Sequence, residues 1–544
     1  MKLKFKRLRK RLITLLVISL LVFSLFGCGT EEAMDEQDVD LIDEAEEQVE
    51  VVRLEGGSDD GYPTPYAHYS RGPGAYKMNL IFDGLLERDE DGLVLWLAED
   101  YEVSDDGRQY LFTIRNEVKW QDGEAMTAED VKFTFEYSSE HPMVRTRVEP
   151  DEVEVEVKGD NQVLFTASEP NASLLYNLGR VPIIPKHIWE DVENPEDYLE
   201  EEAVIGTGPY RLADYSQEHG TYRFEAFEDF WGPRQNVKAI EFIPVSEDIM
   251  AFEQREIDLT RIGTDLLPRF EKQEGVEVVQ RPAFWGYRLR FNMQDNAQLE
   301  DKELRQAISY ALDLEDMVER DARGAGVPGS AGILPPDHVM YNPEVKNYGQ
   351  NLDKAEELLV DLGYDQVNED GIRYNEDGEK LCFDLFVRDS TIRLAEIMNE
   401  QLSELGINLS IRSEERQTHD NRLHNNDYQL IIHGGGGWGG DPDYLRERFM
   451  TSTDDEEYVD TQSLGYENQE LNQLLEEQRY EVDQERREEI IFEIQELLAE
   501  DVPQIALYYP AGYTAYRADK YDGWMFMFDH HSLTHPKLSY LTRE

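Results

Sequence analysis

The sequence predicts an α/β fold, and three observations predict it. Short stretches of alternating apolar and polar residues fill the first half. Helical stripes that stop at glycine fill much of the second half. Further short apolar strands lie between those stripes, and strands alternating with helices argue for a partly parallel sheet. No internal repeat is present.

The elements follow in chain order. Val51-Val52-Arg53-Leu54 reads as a first strand, followed by a Gly/Pro-rich loop through Gly74. Tyr76 to Leu86 reads as a helix, with Met78, Ile81, Phe82 and Leu85 on one face. Tyr110 to Ile114 is a strand. Val153, Val155 and Val157 alternate with acids, and Gly159-Asp160-Asn161 turns the chain into Val163-Leu164-Phe165, a hairpin. Tyr222 to Phe224 and Ala239 to Ile243 are strands. Asp301 is placed to cap a helix carrying Leu304, Ala307, Ile308, Ala311 and Leu312. Helices over 352–362 and 392–405 stop at Gly363 and Gly406. Strands over 408–411 and 428–432 alternate with these, and two more helical stretches occupy 471–498.

The chain has 544 residues, with 53 Lys+Arg against 116 Asp+Glu, a net charge of −63. Such a polyanion repels nucleic acid, and no basic stripe exists beyond the first dozen residues, so DNA and RNA are excluded as partners. The 17 Lys against 36 Arg make a Lys-poor, acid-rich surface. Concentrated salt makes such self-repulsion tolerable, which points to a high-salt habitat.

The N-terminus reads as an export signal. Residues 1–11 carry seven Lys/Arg and no acid, and the apolar run Leu12 to Phe26 is short for a membrane-spanning helix. It ends in Leu25-Phe26-Gly27-Cys28, which resembles a bacterial lipobox. This implies cleavage after residue 27, lipid on Cys28 and a membrane anchor. The mature chain then has 46 bases against 116 acids, −70. Residues 28–50 form an acidic tether, with eleven acids and no base from Glu31 to Glu50. The second cysteine, Cys382, sits in the alternating stretch Leu381-Cys382-Phe383-Asp384-Leu385 and is expected to be a buried, inert thiol.

A series of short blocks follows along the chain. Leu97-Ala98-Glu99, Ser104-Asp105-Asp106-Gly107 and Phe112-Thr113-Ile114-Arg115 come first. Val118-Lys119-Trp120-Gln121-Asp122-Gly123 follows, and then Thr127-Ala128-Glu129-Asp130-Val131. Gly206-Thr207-Gly208-Pro209-Tyr210, Phe230-Trp231-Gly232 and Glu256-Ile257-Asp258-Leu259 continue the series. Arg290-Phe291-Asn292, Arg305-Gln306-Ala307-Ile308-Ser309-Tyr310-Ala311-Leu312-Asp313 and Glu500-Asp501-Val502-Pro503-Gln504-Ile505 complete it. Taken in this order, the blocks resemble the family 5 extracellular solute-binding proteins, the dipeptide- and oligopeptide-binding lipoproteins of ABC importers, with Gln121 where the family often has His.

The resemblance implies a two-lobed clamp of the periplasmic-binding-protein kind. Lobe I would comprise 51–92, 196–290 and 504–544, with a subdomain inserted over 93–195. Lobe II would span 291–503, with crossings near 283–292 and 504–510 as the hinge. It implies a peptide ligand, an ABC permease as partner, a location outside the cytoplasmic membrane, no cofactor and a monomer. The family's W-x-x-D stretch is matched by Trp438-Gly439-Gly440-Asp441. Asp441 is thereby the candidate for the peptide's ammonium, with Asp443 as the alternative and Trp438 as pocket wall or core. Arg388, in Phe386-Val387-Arg388-Asp389-Ser390, is the candidate for a carboxylate. Tyr66, Trp285 and Tyr287 are further cleft candidates from their loop or hinge-adjacent positions.

Other apparent motifs carry no chemistry. Gly324-Ala-Gly326-Val-Pro-Gly329 follows a helix rather than a strand, and Pro328 would obstruct a helix start. The run Gly434 to Gly439 is followed by Asp441 and Asp443, which repel a pyrophosphate; close backbone approach to a ligand suits it better. His530, His531 and His535 read as a turn or surface cluster rather than a metal site. No nucleophile–base pair is legible, so a non-enzyme is expected. The alternative function is a binder of the same fold for an oligosaccharide, nickel chelate or haem, and a sensory lipoprotein is a third class.

Overall fold

A computed structural model describes residues 48–69, 72–144, 148, 152–436, 439–450 and 464–543. The export signal, Cys28, the acidic stretch up to Glu47 and Trp438 lie outside the described residues. The fold begins at Gln48. Val49 already pairs with Val237 and Glu50 with Lys238, so the last residues assigned to the tether belong to the fold. None of the described helices is long and apolar enough to cross a membrane.

The first apolar core draws on Val52 to Phe242 and on the tail from Tyr516 to Leu541. Two four-stranded sheets feed it. In one, the strand Val52–Gly56 runs parallel to Ala239–Pro244, which continues antiparallel into Thr221–Ala226 and Tyr210–Ser216. The other comprises Ala98–Val103, Gln109–Ile114, Gln162–Ala167 and Val153–Lys158, the last two being the expected hairpin around Gly159 (φ 67°). The residues of 93–195 thus bring their own sheet, but their apolar side chains run into the first core without a break.

The second core draws on Leu289 to Tyr508. It packs helices against one face of a six-stranded sheet ordered Gly326–Pro328, Gln504–Pro510, Trp285–Phe291, Leu430–Gly436, Cys382–Arg388, Asn408–Glu414. Cys382–Arg388 runs parallel to both its neighbours, as the strand–helix alternation requires. Helices Leu352–Asp361 and Ile392–Ser403 end beside Gly363 (φ 85°) and Gly406 (φ 75°), left-handed stops that glycine adopts without a Cβ clash.

The blocks behind the family resemblance meet in space. Gln121 N–H donates to Gly206 O at 2.9 Å, and the Gln121 side-chain amide donates to Gly208 O and Tyr210 O at 3.1 and 2.8 Å. A Cβ on Gly206 or Gly208 would lie 2.1 or 2.5 Å from Ile81 O, so only glycine fits. Arg305 is buried and donates to Val502 O, Leu299 O, Glu300 O and Asp501 O, tying its helix to the far end of the lobe.

Two expectations are corrected. The helix expected over 76–86 is Gly72–Met78, which starts with Pro73 and then turns. Beyond it, Leu80 O and Ile81 O accept from Tyr210 N–H and Gly208 N–H, so these carbonyls serve the neighbouring block. Ile81, Phe82 and Leu85 are still fully buried, but from irregular chain. Cys382 is exposed, not buried. The alternation sends Phe383, Leu385 and Val387 into the core and leaves Cys382 on the other face, where its sulfur accepts from Asn408 Nδ2 at 3.4 Å.

Candidate functional site

The two cores are joined by strands Trp285–Phe291 and Gln504–Pro510, which lie side by side, antiparallel, in the six-stranded sheet. Ala283, Ala506, Tyr509 and Ala511 form a small apolar cluster there. The chain therefore crosses between lobes through one paired ribbon.

Asp441 lies on the loop after Leu430–Gly436. Arg487, from helix Gln484–Asp501, forks onto it: Nη1 donates to Oδ2 at 2.9 Å and Nη2 to Oδ1 at 2.6 Å. Ser173 Oγ, from the first core, donates to Oδ1 at 2.8 Å, and Asp443 N–H donates to Oδ1 at 2.9 Å. Burial disfavours the charge, but the Arg487 guanidinium outweighs it and holds the carboxyl below its ordinary pKa. The pair is a charge-assisted, bidentate one, with Arg487 2% and Asp441 18% exposed. Asp441 is thus neutralised from within the chain. Among the described residues, Oδ1 accepts three hydrogen bonds and Oδ2 one.

Other contacts reinforce this seam. Ala172 N–H donates to Arg479 O at 2.8 Å, Arg479 lies 3.7 Å from Glu152, and His338 Nε2 lies 3.0 Å from Gly440 O. Asp443 is buried and fully engaged: Arg446 donates to both its oxygens at 3.0 Å and Gln478 to Oδ1 at 2.6 Å.

Trp285 and Tyr287 do come together at the crossing, with ring centroids 4.7 Å apart, and Tyr287 sits 5.2 Å from Tyr508. A Cβ on Gly434 would lie 2.4 Å from the Trp285 ring, and one on Gly436 2.9 Å. Those glycines make room for the protein's own rings rather than for a ligand backbone. On the opposite sheet face the register sets Arg288 beside His433, one strand pair from Arg388. Burial, with Arg290, Arg388 and His419 nearby, drives His433 well below its ordinary pKa. Arg388 is half-buried and ion-paired with Asp420.

Tyr66 stands apart from the seam, which corrects the expectation of a cleft residue. It is 6% exposed and packs on Tyr137 and Trp189 in the first core. The histidine cluster lies among the turns of the C-terminal tail, as the turn reading expects, and is half-buried. His530 Nε2 lies 2.6 Å from His535 Nδ1, His535 stacks on Tyr76 at 4.2 Å, and burial lowers the pKa of both rings. Among the described residues no group of three or more His, Cys, Asp or Glu is placed to hold a metal ion.

Sequence reasoning missed Arg487, Ser173 and Asp529. Asp529 belongs to the C-terminal tail, and its backbone meets Gly439 of the Asp441 loop. Its Oδ2 accepts from Arg88 at 2.7 Å and Tyr176 at 2.5 Å. Burial opposes ionisation, yet Arg88 and Arg180 bring the carboxyl down to about 2. A depressed carboxylate contributes stability above its unfolded pKa, which is lost as pH falls through the folded one. Stability measured by denaturant between pH 5 and 2 should therefore fall less steeply in Asp529→Asn than in the wild type, by about 2 kcal/mol over that window. Parallel curves would show that Asp529 is not the group responsible.

Comparison with known proteins agrees with this architecture. The family model for bacterial extracellular solute-binding proteins, family 5, matches residues 92–457. The oligopeptide-binding protein AppA of Bacillus subtilis is 26% identical over 474 residues, covering 80% of this chain and 82% of AppA. The dipeptide-binding protein of Escherichia coli is 25% identical over 375 residues, covering 64% and 68%. Among solved structures, AppA of Bacillus subtilis with a nonapeptide superposes with a TM-score of 0.72 at 22% identity, over 91% of this chain and 100% of that one. NikA of Brucella suis with Fe(III)-EDTA gives 0.78 at 22% identity and the same coverage. With two cores joined by one paired ribbon and the family match spanning most of the chain, the protein belongs to the bacterial extracellular solute-binding proteins, family 5.

Proposed function

We propose that this protein is the solute-capturing component of an ABC importer, that its solute is a peptide, and that lipid on Cys28 holds it at the outer face of the cytoplasmic membrane. The family match over 92–457 carries the reading, supported by likeness to peptide-binding relatives across most of the chain. Lobe I is assigned to 51–92, 196–290 and 504–544 with 93–195 inserted, lobe II to 291–503, and the crossing ribbon acts as the hinge. The solute enters between the lobes, and its affinity offsets the cost of closing them. The ammonium terminus docks on Asp441 Oδ2, which among the described residues accepts from Arg487 Nη1 alone, while the peptide's amides bond to backbone. No step of chemistry is assigned to the protein.

One observation favours a second reading. Asp441 already has an internal guanidinium, and the structure of NikA from Brucella suis, which holds Fe(III)-EDTA, superposes at 0.78. A non-peptide solute, such as a metal chelate, haem or oligosaccharide, is therefore the alternative. Mass spectrometry of solute released by denaturing freshly purified protein decides between them. Peptides are the expected cargo, and a chelate, haem or sugar overturns the peptide reading.

The net charge of −63 supports a working environment of high salt. Melting temperature should rise steadily from low to molar sodium chloride, and a flat response sinks this assignment.

A further inference from the structure

A three-stranded sheet in the first lobe joins Leu259–Ile262, Tyr513–Arg517 and Val276–Gln280. Its register sets Arg261 opposite Thr514, and Thr514 opposite Val279. These three side chains share a face, and Arg281, two residues beyond Val279, returns to it. Arg281 N–H donates to Gly512 O at 2.9 Å, which continues the pairing and holds the backbone in place.

Arg261 and Arg281 line a cavity of about 270 Å³. Thr514, Ser58, Ser532, Thr534 and His535 surround them with hydroxyls and a ring nitrogen. The cavity also takes in Leu54, Glu55 and Gly56, the carboxyl end of a strand paired in parallel with Ala239–Pro244.

Charge is unevenly matched in this cavity, whose lining carries Lys77, the exposed Arg261 and the half-buried Arg281 against Asp60 and the exposed Glu55. Lys77 lies 2.6 Å from Asp60, so those two neutralise each other. Arg281 has no such partner among the described residues. Its Nε is buried without a hydrogen bond. Burial, and then Arg261 beside it, lowers its pKa to about 10. Burial and the same two arginines push His531 down to about 4, so this histidine is neutral at pH 7. Two adjacent guanidiniums facing one cavity, in a chain with 116 acids and 53 bases, oppose the charge of the rest of the molecule. Like charges held together in a partly desolvated cavity cost free energy unless a counter-ion joins them.

We propose that this cavity is an anion site that takes a carboxylate group, forked onto Arg281, paired with Arg261 and bonded to the hydroxyls of Thr514, Ser532 and Thr534. The cavity has room for an acidic side chain or a small dicarboxylate. The site is distinct from the Asp441 seam and does not depend on the solute being a peptide.

Calorimetric titration of the full chain with succinate, at fixed ionic strength, tests it. Saturable binding is expected, weakened at least tenfold in Arg281→Met and in Arg261→Met. Succinate should also raise the melting temperature of the wild type, while the uncharged succinamide does not, a readout independent of how the variants fold. No saturable binding, wild-type affinity in both variants, or equal stabilisation by succinamide overturns the proposal. The source of the carboxylate is read by competition. A peptide carrying Glu that displaces succinate, where its Gln counterpart does not, places the acid on the captured solute. Succinate bound undisturbed beside either peptide makes the ligand a free small carboxylate.

Discussion

Replacing Lys537 with methionine lowers the unfolding free energy by about 3–5 kcal/mol, the cost of stranding a buried charge. The stranded charge is Asp83, which is fully buried. Its Oδ1 accepts from Lys537 Nζ at 2.5 Å and Trp96 Nε1 at 2.8 Å, and its Oδ2 accepts from Thr207 Oγ1 at 2.8 Å. Lys537 also reaches Phe82 O and Glu87 at 3.2 Å. Burial disfavours its charge, but Asp83 and Glu87 outweigh that and raise its pKa. The pair fastens the C-terminal tail to the start of the chain, 454 residues away. Asp83→Asn should cost less than Lys537→Met, and the double variant should recover much of the loss, because both charges then stay out of the core. Urea unfolding of the four proteins measures this. Single variants within about 1 kcal/mol of the wild type would show that the pair is not needed.

Arg487→Met is expected to have the second large effect, about 3 kcal/mol lost through the uncompensated charge on Asp441. Ser173→Ala, which removes one neutral donor from the same carboxylate, should cost about 1 kcal/mol. Adding solute separates the two roles of Asp441. If Oδ2 docks the ammonium, Asp441→Asn weakens peptide binding by several kcal/mol, while Arg487→Met preserves or strengthens it by leaving the carboxylate to the ligand. If Asp441 serves only to hold the lobes together, both variants shift affinity alike, through closure. A cycle built from the single and double variants, read by calorimetry and by denaturation, gives the coupling energy in each case.

Legibility followed the range of the interaction. The hairpin around Gly159, the helix ends at Gly363 and Gly406 and the parallel alternation in the second lobe were all readable, because each is set within a few residues. Cys382 was placed on the right kind of strand but on the wrong face. Alternation says that two faces differ, and only the packing of Phe383, Leu385 and Val387 says which one is covered. The helix over 76–86 failed for a related reason. Its apolar spacing was real, but the block at Gly206–Tyr210 claims the backbone of Leu80 and Ile81.

The sequence by itself determined the α/β class, the order of the elements and the run of blocks that marks the family. These depend on local backbone preference and on motifs spaced along one chain. The tertiary structure alone decided that Asp441 faces Arg487 and Ser173, that the tail's Lys537 closes on Asp83, and that Arg261 and Arg281 share a cavity. Each of those depends on strand register or on the meeting of distant segments. A charged residue carries no mark in the sequence of which opposite charge folding will bring to it.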